Sequence, residues 1–94
     1  MTASEAIPLT YVTAPRCGFC ELGRGVLADL AGEFPLAMRE IALNSPEGRE
    51  AATRWRVPYP PIVLVDGRLA GYGRLSAKRL RRVLTDRQRA QVAS

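Results

Sequence analysis

"LTYVTAPRCGFCELG", residues 9 to 23, runs from a β-rich pentad through a proline loop into the only two cysteines of the 94-residue chain, Cys17 and Cys20. Residues 9 to 13 are rich in β-branched and aromatic side chains and lie between Pro8 and Ala14-Pro15. A proline biases the residue before it away from helix, so this segment reads as a strand that ends in a loop. From Cys17 onward, Phe19, Leu22, Val26, Leu27 and Leu30 recur at the spacing of a helix with one buried stripe, and Gly32 supplies a stop. Gly23 and Gly25 weaken that helix by up to ~1 kcal/mol each relative to Ala, so packing must hold it.

The rest of the chain continues the alternation. Leu36, Met38, Ile41 and Leu43 mark a second strand within "PLAMREIAL", residues 35 to 43. In "NSPEG", residues 44 to 48, Ser45 is the N-cap, Pro46 the first helical residue and Glu47 the acid at the positive helix end, predicting a helix to about Trp55. "PIVLV", residues 61 to 65, reads as a buried strand, and Asp66-Gly67 is a two-residue hairpin signal into "RLAGY". Ser76 caps a last helix, with Leu75 and Leu80 as a hydrophobic staple and Leu80, Val83 and Leu84 as its stripe. Residues 86–94 lose the stripe and are expected to fray. The order βαβαββα is an α/β arrangement that resembles the thioredoxin-like fold: a mixed four-stranded sheet flanked by helices, with one parallel pair joined by a right-handed crossover. Its length makes residues 1–94 a single domain.

Composition narrows the chemistry. Two cysteines three positions apart close too short a loop to act as a structural cross-link, so the chain is not a disulfide scaffold. It carries no secretory-type leader and no apolar run long enough to span a membrane, which leads us to expect a cytoplasmic protein without membrane association. In that compartment a close cysteine pair is more often catalytic or metal-binding than structural. Three readings of the pair stay open: a redox couple, two small buried apolar residues, or half of a metal site shared between two chains. With no histidine and no third cysteine, the four ligands of structural zinc would need a second chain or added carboxylates, so we expect no bound metal. The net charge of +5 is uneven: residues 1 to 73 hold seven basic against eight acidic residues, whereas residues 74 to 94 hold seven basic residues against Asp86.

Cys17 falls at the start of the helix that follows the first strand. Unpaired backbone N–H groups and the positive end of the helix dipole favour a thiolate there, and such sites lower a cysteine pKa from ~8.5 to ~3.5–7.5. Arg16 adds a positive neighbour. Cys20 lies one turn further along the same face, placed to resolve a mixed disulfide formed at Cys17. Gly18 lets the chain turn tightly beside the sulfur, and Phe19 offers apolar surface for a substrate.

The segments "TYVTAPRCGFCELGRGVLADL" (10–30), "RVPYPPIVLVDG" (56–67) and "GYGRLSAKRLRRVL" (71–84) together resemble the small bacterial glutaredoxin-like proteins over roughly residues 8 to 85. The resemblance implies a dithiol–disulfide oxidoreductase with Cys17 nucleophilic, Cys20 resolving and Pro61 a cis-proline before the third strand, shaping a substrate groove. It implies no bound cofactor; glutathione or mycothiol is the candidate co-substrate, and a protein disulfide or low-molecular-weight thiol the partner of a monomer. Three departures bear on the substrate. Glutathione-using glutaredoxins usually carry a lysine where this chain has Ala14, and Thr-Val where it has Tyr59-Pro60. Pro60 has no N–H to offer a bound peptide. After the hairpin they commonly show Gly-Gly and an acid, where this chain has Gly71, Gly73 and Arg74.

The expected groove therefore comprises Arg16, Gly18, Phe19, Tyr59, Pro60, Pro61, Gly71 and Arg74, with Arg54 and Arg56 as further candidates for an anionic thiol. Tyr11, Trp55 and Tyr72 are expected in or beside the core. Lys78, Arg79 and Arg82 lie opposite the apolar stripe of the last helix, as on any surface helix, and cations near a helix C-terminus suit its dipole. Nothing interleaves aromatics with them, so nucleic-acid binding is not supported. A non-catalytic module recognising an acidic partner through residues 74 to 89 is the alternative to the redox reading.

Overall fold

A computed structural model describes residues 6–93. The outermost residues of the expected 1–94 domain, 1–5 and Ser94, lie outside them. Seven elements follow in order: β1 (Ile7–Thr13), α1 (Gly18–Ala31), β2 (Leu36–Ala42), α2 (Pro46–Trp55), β3 (Ile62–Val65), β4 (Arg68–Tyr72) and α3 (Ala77–Ala93). They form one four-stranded sheet in the order β2-β1-β3-β4, with β1 parallel to β2 and antiparallel to β3. This is the thioredoxin-like fold.

Alternation along β1 sorts the core onto two faces. Ile7, Leu9 and Tyr11 point to one side and pack with Leu27 and Leu30 of α1, Leu80 and Leu84 of α3, and Val63 and Val65 of β3. Val12 and Ile62 point to the other side, where Ala51 of α2 covers them. Helices α1 and α3 therefore share one face of the sheet and α2 the other.

The local signals act where they stand. Ser45 Oγ accepts the Gly48 N–H at 3.0 Å, with Pro46 as the first helical residue. Asp66 and Gly67 both take positive φ, 54° and 79°, which turns the β3–β4 hairpin with the twist its strands require. Ser76 Oγ accepts the Arg79 N–H at 3.1 Å at the start of α3.

Three expectations need correction. β1 begins at Ile7, so Pro8 lies inside the strand. Its missing N–H falls where β3 has already ended, and its carbonyl accepts the Asp66 N–H at 3.0 Å. The stripe of α1 is turned: Cys20, Gly23, Leu27 and Leu30 are buried, whereas Phe19 is 42% and Leu22 65% exposed. Helix α3 extends beyond residue 86, through Ala93. Arg87, held to Asp66 of the hairpin at 2.6 and 3.2 Å, ties that extension to the sheet where apolar contacts thin out.

Candidate active site

The register places the site. Val12, near the end of β1, pairs with Ile62, the first residue of β3, and Ile62 pairs with Tyr72, the last residue of β4. The Cys17 loop, the proline loop before β3 and the segment entering α3 thus leave the same end of the sheet.

Cys17 and Cys20 are joined in a disulfide. Cys17 is the N-cap of α1, one position earlier than the first-turn placement expected from sequence, and its Sγ accepts the Cys20 N–H at 3.1 Å. A sulfur here does what a Ser or Asp oxygen does in an ordinary cap. On reduction the same N–H and the helix dipole would stabilise negative charge on that sulfur. Arg16 leads into it with φ 55°, a left-handed conformation uncommon for a residue with a side chain, which turns the chain sharply so that Cys17 caps the helix. Arg16 and Gly18 are exposed and Cys17 is partly exposed, while Cys20 is 1% exposed. The two sulfurs are therefore unequal in access.

Tyr11 holds the buried cysteine from beneath. Its hydroxyl donates to the Cys20 carbonyl at 2.8 Å, crossing the space above Gly23. Burial, the largest influence, pushes its pKa up to about 12, with Arg24 opposing and Glu40 and Glu21 assisting. A folded pKa above the unfolded value of about 10 means this contribution is complete below pH 10 and lost as pH rises towards 12. Unfolding stability should fall by about 2 to 3 kcal/mol across that window. Urea titrations of Tyr11→Phe, which has no phenol proton to lose, should show a clearly smaller fall. Beside it, Arg24 bridges Glu21 of its own helix and Glu40 of β2, and Glu40 also accepts from Thr13 Oγ1 at 2.8 Å. The Arg24 and Thr13 hydrogen bonds hold the Glu40 carboxyl below its ordinary pKa.

At the same end of the sheet the proline loop carries a wall of aromatic rings. The Pro60–Pro61 peptide bond is cis, and Pro61 is buried. The Pro61 carbonyl accepts the Gly73 N–H at 2.8 Å. Tyr59 is 52% exposed and meets Tyr72 edge to face, with ring centroids 5.8 Å apart. Gly73, with φ 67°, permits this wall: a Cβ there would lie 2.7 Å from Tyr59 Cε1. A cavity of about 370 Å³ lies beside Tyr59, lined also by Leu43, Arg49, Thr53, Val57 and Ile62.

Several expected groove residues separate here. Gly71 is opposite Val63 and turns towards Leu75 and Leu80 beneath α3, so Gly73 is the glycine that meets the aromatic wall. Arg54 stacks on the Trp55 ring at 5.5 Å, and Arg56 closes α2 in a left-handed C-cap. Gly71 and Arg74 stay together, both lining a second cavity of about 270 Å³ between β4 and the start of α3 with Tyr72, Ser76 and Arg79. Tyr72, expected beside the core, is 42% exposed, because pairing with Ile62 at the strand end leaves it over Tyr59. Sequence reasoning also missed Arg49, which carries no local signal; its place on α2 decides its position.

Among the described residues no group of three or more Cys, His, Asp or Glu is gathered as metal ligands would be, and no helix is long and apolar enough to cross a membrane.

Comparison with known proteins places the fold. The chain is similar to a thioredoxin from Halobacterium salinarum, solved as a mutant, with 21% identity over 87% of this chain and 74% of that one and a TM-score of 0.62. It is equally similar to mitochondrial thioredoxin 3 from Saccharomyces cerevisiae in its oxidised form: 18% identity, 87% and 79% coverage, TM-score 0.62. No family model matches the chain, and no curated protein matches it.

Proposed function

We propose that the protein is a dithiol–disulfide oxidoreductase of glutaredoxin-like type, acting on a protein or low-molecular-weight disulfide. The observation that carries this reading is the Cys17–Cys20 disulfide at the start of α1, with a partly exposed sulfur capping the helix and a buried partner one turn along.

In the reducing direction the Cys17 thiolate attacks one sulfur of a substrate disulfide. A Cys17–substrate bond forms and the other substrate sulfur leaves as a thiolate that takes up a proton. Cys20, losing its proton, then attacks the Cys17 sulfur, closing the internal disulfide and releasing the second substrate thiol. Two electrons pass from the protein dithiol to the substrate. An external thiol reductant, with glutathione or mycothiol as the candidates, restores the dithiol by the reverse exchange. Ala14 and Pro60 argue against a groove specialised for glutathione itself: Pro60 cannot donate the backbone hydrogen bond that a bound extended peptide would use.

Intact-mass analysis in an oxidising thiol buffer tests the proposal. Wild-type protein should close the Cys17–Cys20 disulfide, and Cys20→Ser should accumulate a mixed disulfide on Cys17. Absence of both products would overturn the reading.

A further inference from the structure

Helix α3 presents two kinds of cation. Arg81 is held by Glu33 at 2.7 and 2.9 Å, and Arg87 by Asp66. Lys78, Arg79 and Arg82 are exposed and join no acid in an ion pair among the described residues, and neither does Arg74 just before the helix. The three on the helix fall at positions i, i+1 and i+4, a spacing that groups them on one face.

Helix stability does not account for them. Since α3 runs from Ala77 to Ala93, these residues occupy its first two turns, at the positive end of the dipole, where a cation is disfavoured. The other two helices carry an acid in that turn, Glu21 and Glu47.

The cations also line connected space. Lys78, Arg79 and Arg82 surround a cavity of about 290 Å³ with Ser76. Ser76 and Arg79 reappear in the neighbouring cavity, shared with Arg74 and Tyr72, and Tyr72 meets Tyr59 of the cis-proline loop edge to face. A band of unpaired positive charge thus runs from Arg74, beside that aromatic pair, onto α3. Because α1 and α3 pack on one face and both begin at the Cys17 end of the sheet, the band lies at the end that carries the disulfide.

Resting on the redox reading above, we propose that this band is a docking surface for an acidic segment flanking the disulfide of a protein substrate. A carboxylate-bearing segment matches the surface in sign. A partner that carries a disulfide is a protein or a low-molecular-weight disulfide, which favours an acidic polypeptide over a nucleic acid. Attraction of this kind acts mainly on encounter, raising the association rate and fading with salt.

Paired model peptides with one disulfide sequence, flanked by three Glu or by three Gln, test the surface. Reduced wild-type protein should react with the acidic peptide on the order of tenfold faster at low ionic strength, the ratio falling towards one in high salt. In Lys78→Gln/Arg79→Gln/Arg82→Gln the ratio should approach one even at low salt, while far-UV circular dichroism and the rate on the Gln-flanked peptide stay at wild-type values and so exclude loss of folding as the cause. A wild-type ratio near one, or an unchanged ratio in the triple variant, would overturn the proposal. Fluorescence anisotropy with the acidic peptide carrying serines in place of its cysteines reads docking without chemistry. Binding that the triple variant loses, in a protein that exchanges no disulfide, would keep the surface and remove the redox reading. Tighter binding of an equal-length single-stranded oligonucleotide than of the acidic peptide, at the same salt, would overturn the acidic-protein assignment.

Discussion

Replacing Cys17 by Ser is expected to lower disulfide exchange by about 10³-fold or more, since the attacking sulfur itself is lost. Cys20→Ser should instead leave the first step near the wild-type rate and stop at the mixed disulfide. The asymmetry follows from position. Cys17 is partly exposed and capped by the Cys20 N–H, whereas Cys20 is 1% exposed beneath the first turn of α1. Stopped-flow exchange with a model peptide disulfide measures both variants. Alkylation of the reduced protein gives an independent reading: iodoacetamide should label Cys17 first, with a rate that changes little from pH 8 down to about pH 6 because a helix N-terminus favours the thiolate. Equal labelling of the two cysteines, or comparable loss of the first step in both variants, would reverse the assignment.

The second large effect concerns Gly23. An added Cβ there would overlap the Tyr11 hydroxyl and approach Leu75 Cδ1 at 3.0 Å and Tyr11 Cζ at 3.2 Å. Tyr11 is 1% exposed and its hydroxyl is committed to the Cys20 carbonyl, so it has little freedom to retreat. In an open helix Gly→Ala would stabilise by about 1 kcal/mol. At this site overpacking of about 1–3 kcal/mol and disruption of a buried hydrogen bond outweigh that gain, for a net loss of about 2 kcal/mol or more. For a domain of this size that corresponds to a melting temperature lower by roughly 10 °C.

Tyr11→Phe alone should lose only about 1 kcal/mol, the ordinary contribution of one hydrogen bond. The double variant Gly23→Ala/Tyr11→Phe is the sharper test. With the hydroxyl gone, the new methyl meets a ring carbon and the flexible end of Leu75, so the double variant should melt above Gly23→Ala. Calorimetry of the four proteins closes the cycle. Additive losses would show that the glycine is not there for the tyrosine.

Much of the fold was legible before any tertiary information, because its signals are local. Ser45-Pro46, Asp66-Gly67 and Ser76 act within a turn of where they stand, and the CxxC sequence carries its own cap through Cys17. What was misread depended on partners far along the chain. Phe19 and Leu22 have the spacing of a buried stripe, yet the close approach of Tyr11 to Gly23 turns the Cys20 side of α1 onto the sheet. Periodicity gives the width of an apolar face but not its rotation when glycine and cysteine compete with larger side chains for the inside. The extent of α3 was misjudged similarly, since an ion pair to the hairpin, invisible to hydrophobic spacing, supports residues past 86.

The amino-acid order by itself therefore determined the element sequence, the helix starts, the hairpin and the close cysteine pair, each governed by backbone preferences and neighbours a few residues away. The tertiary structure alone decided how those parts face one another: Tyr72 over Tyr59, Gly73 rather than Gly71 against the proline loop, and unpaired cations at the positive end of a long α3. The physical reason is strand register. Pairing Val12 with Ile62 and Ile62 with Tyr72 brings segments separated by dozens of residues to one end of the sheet, an arrangement no local propensity encodes.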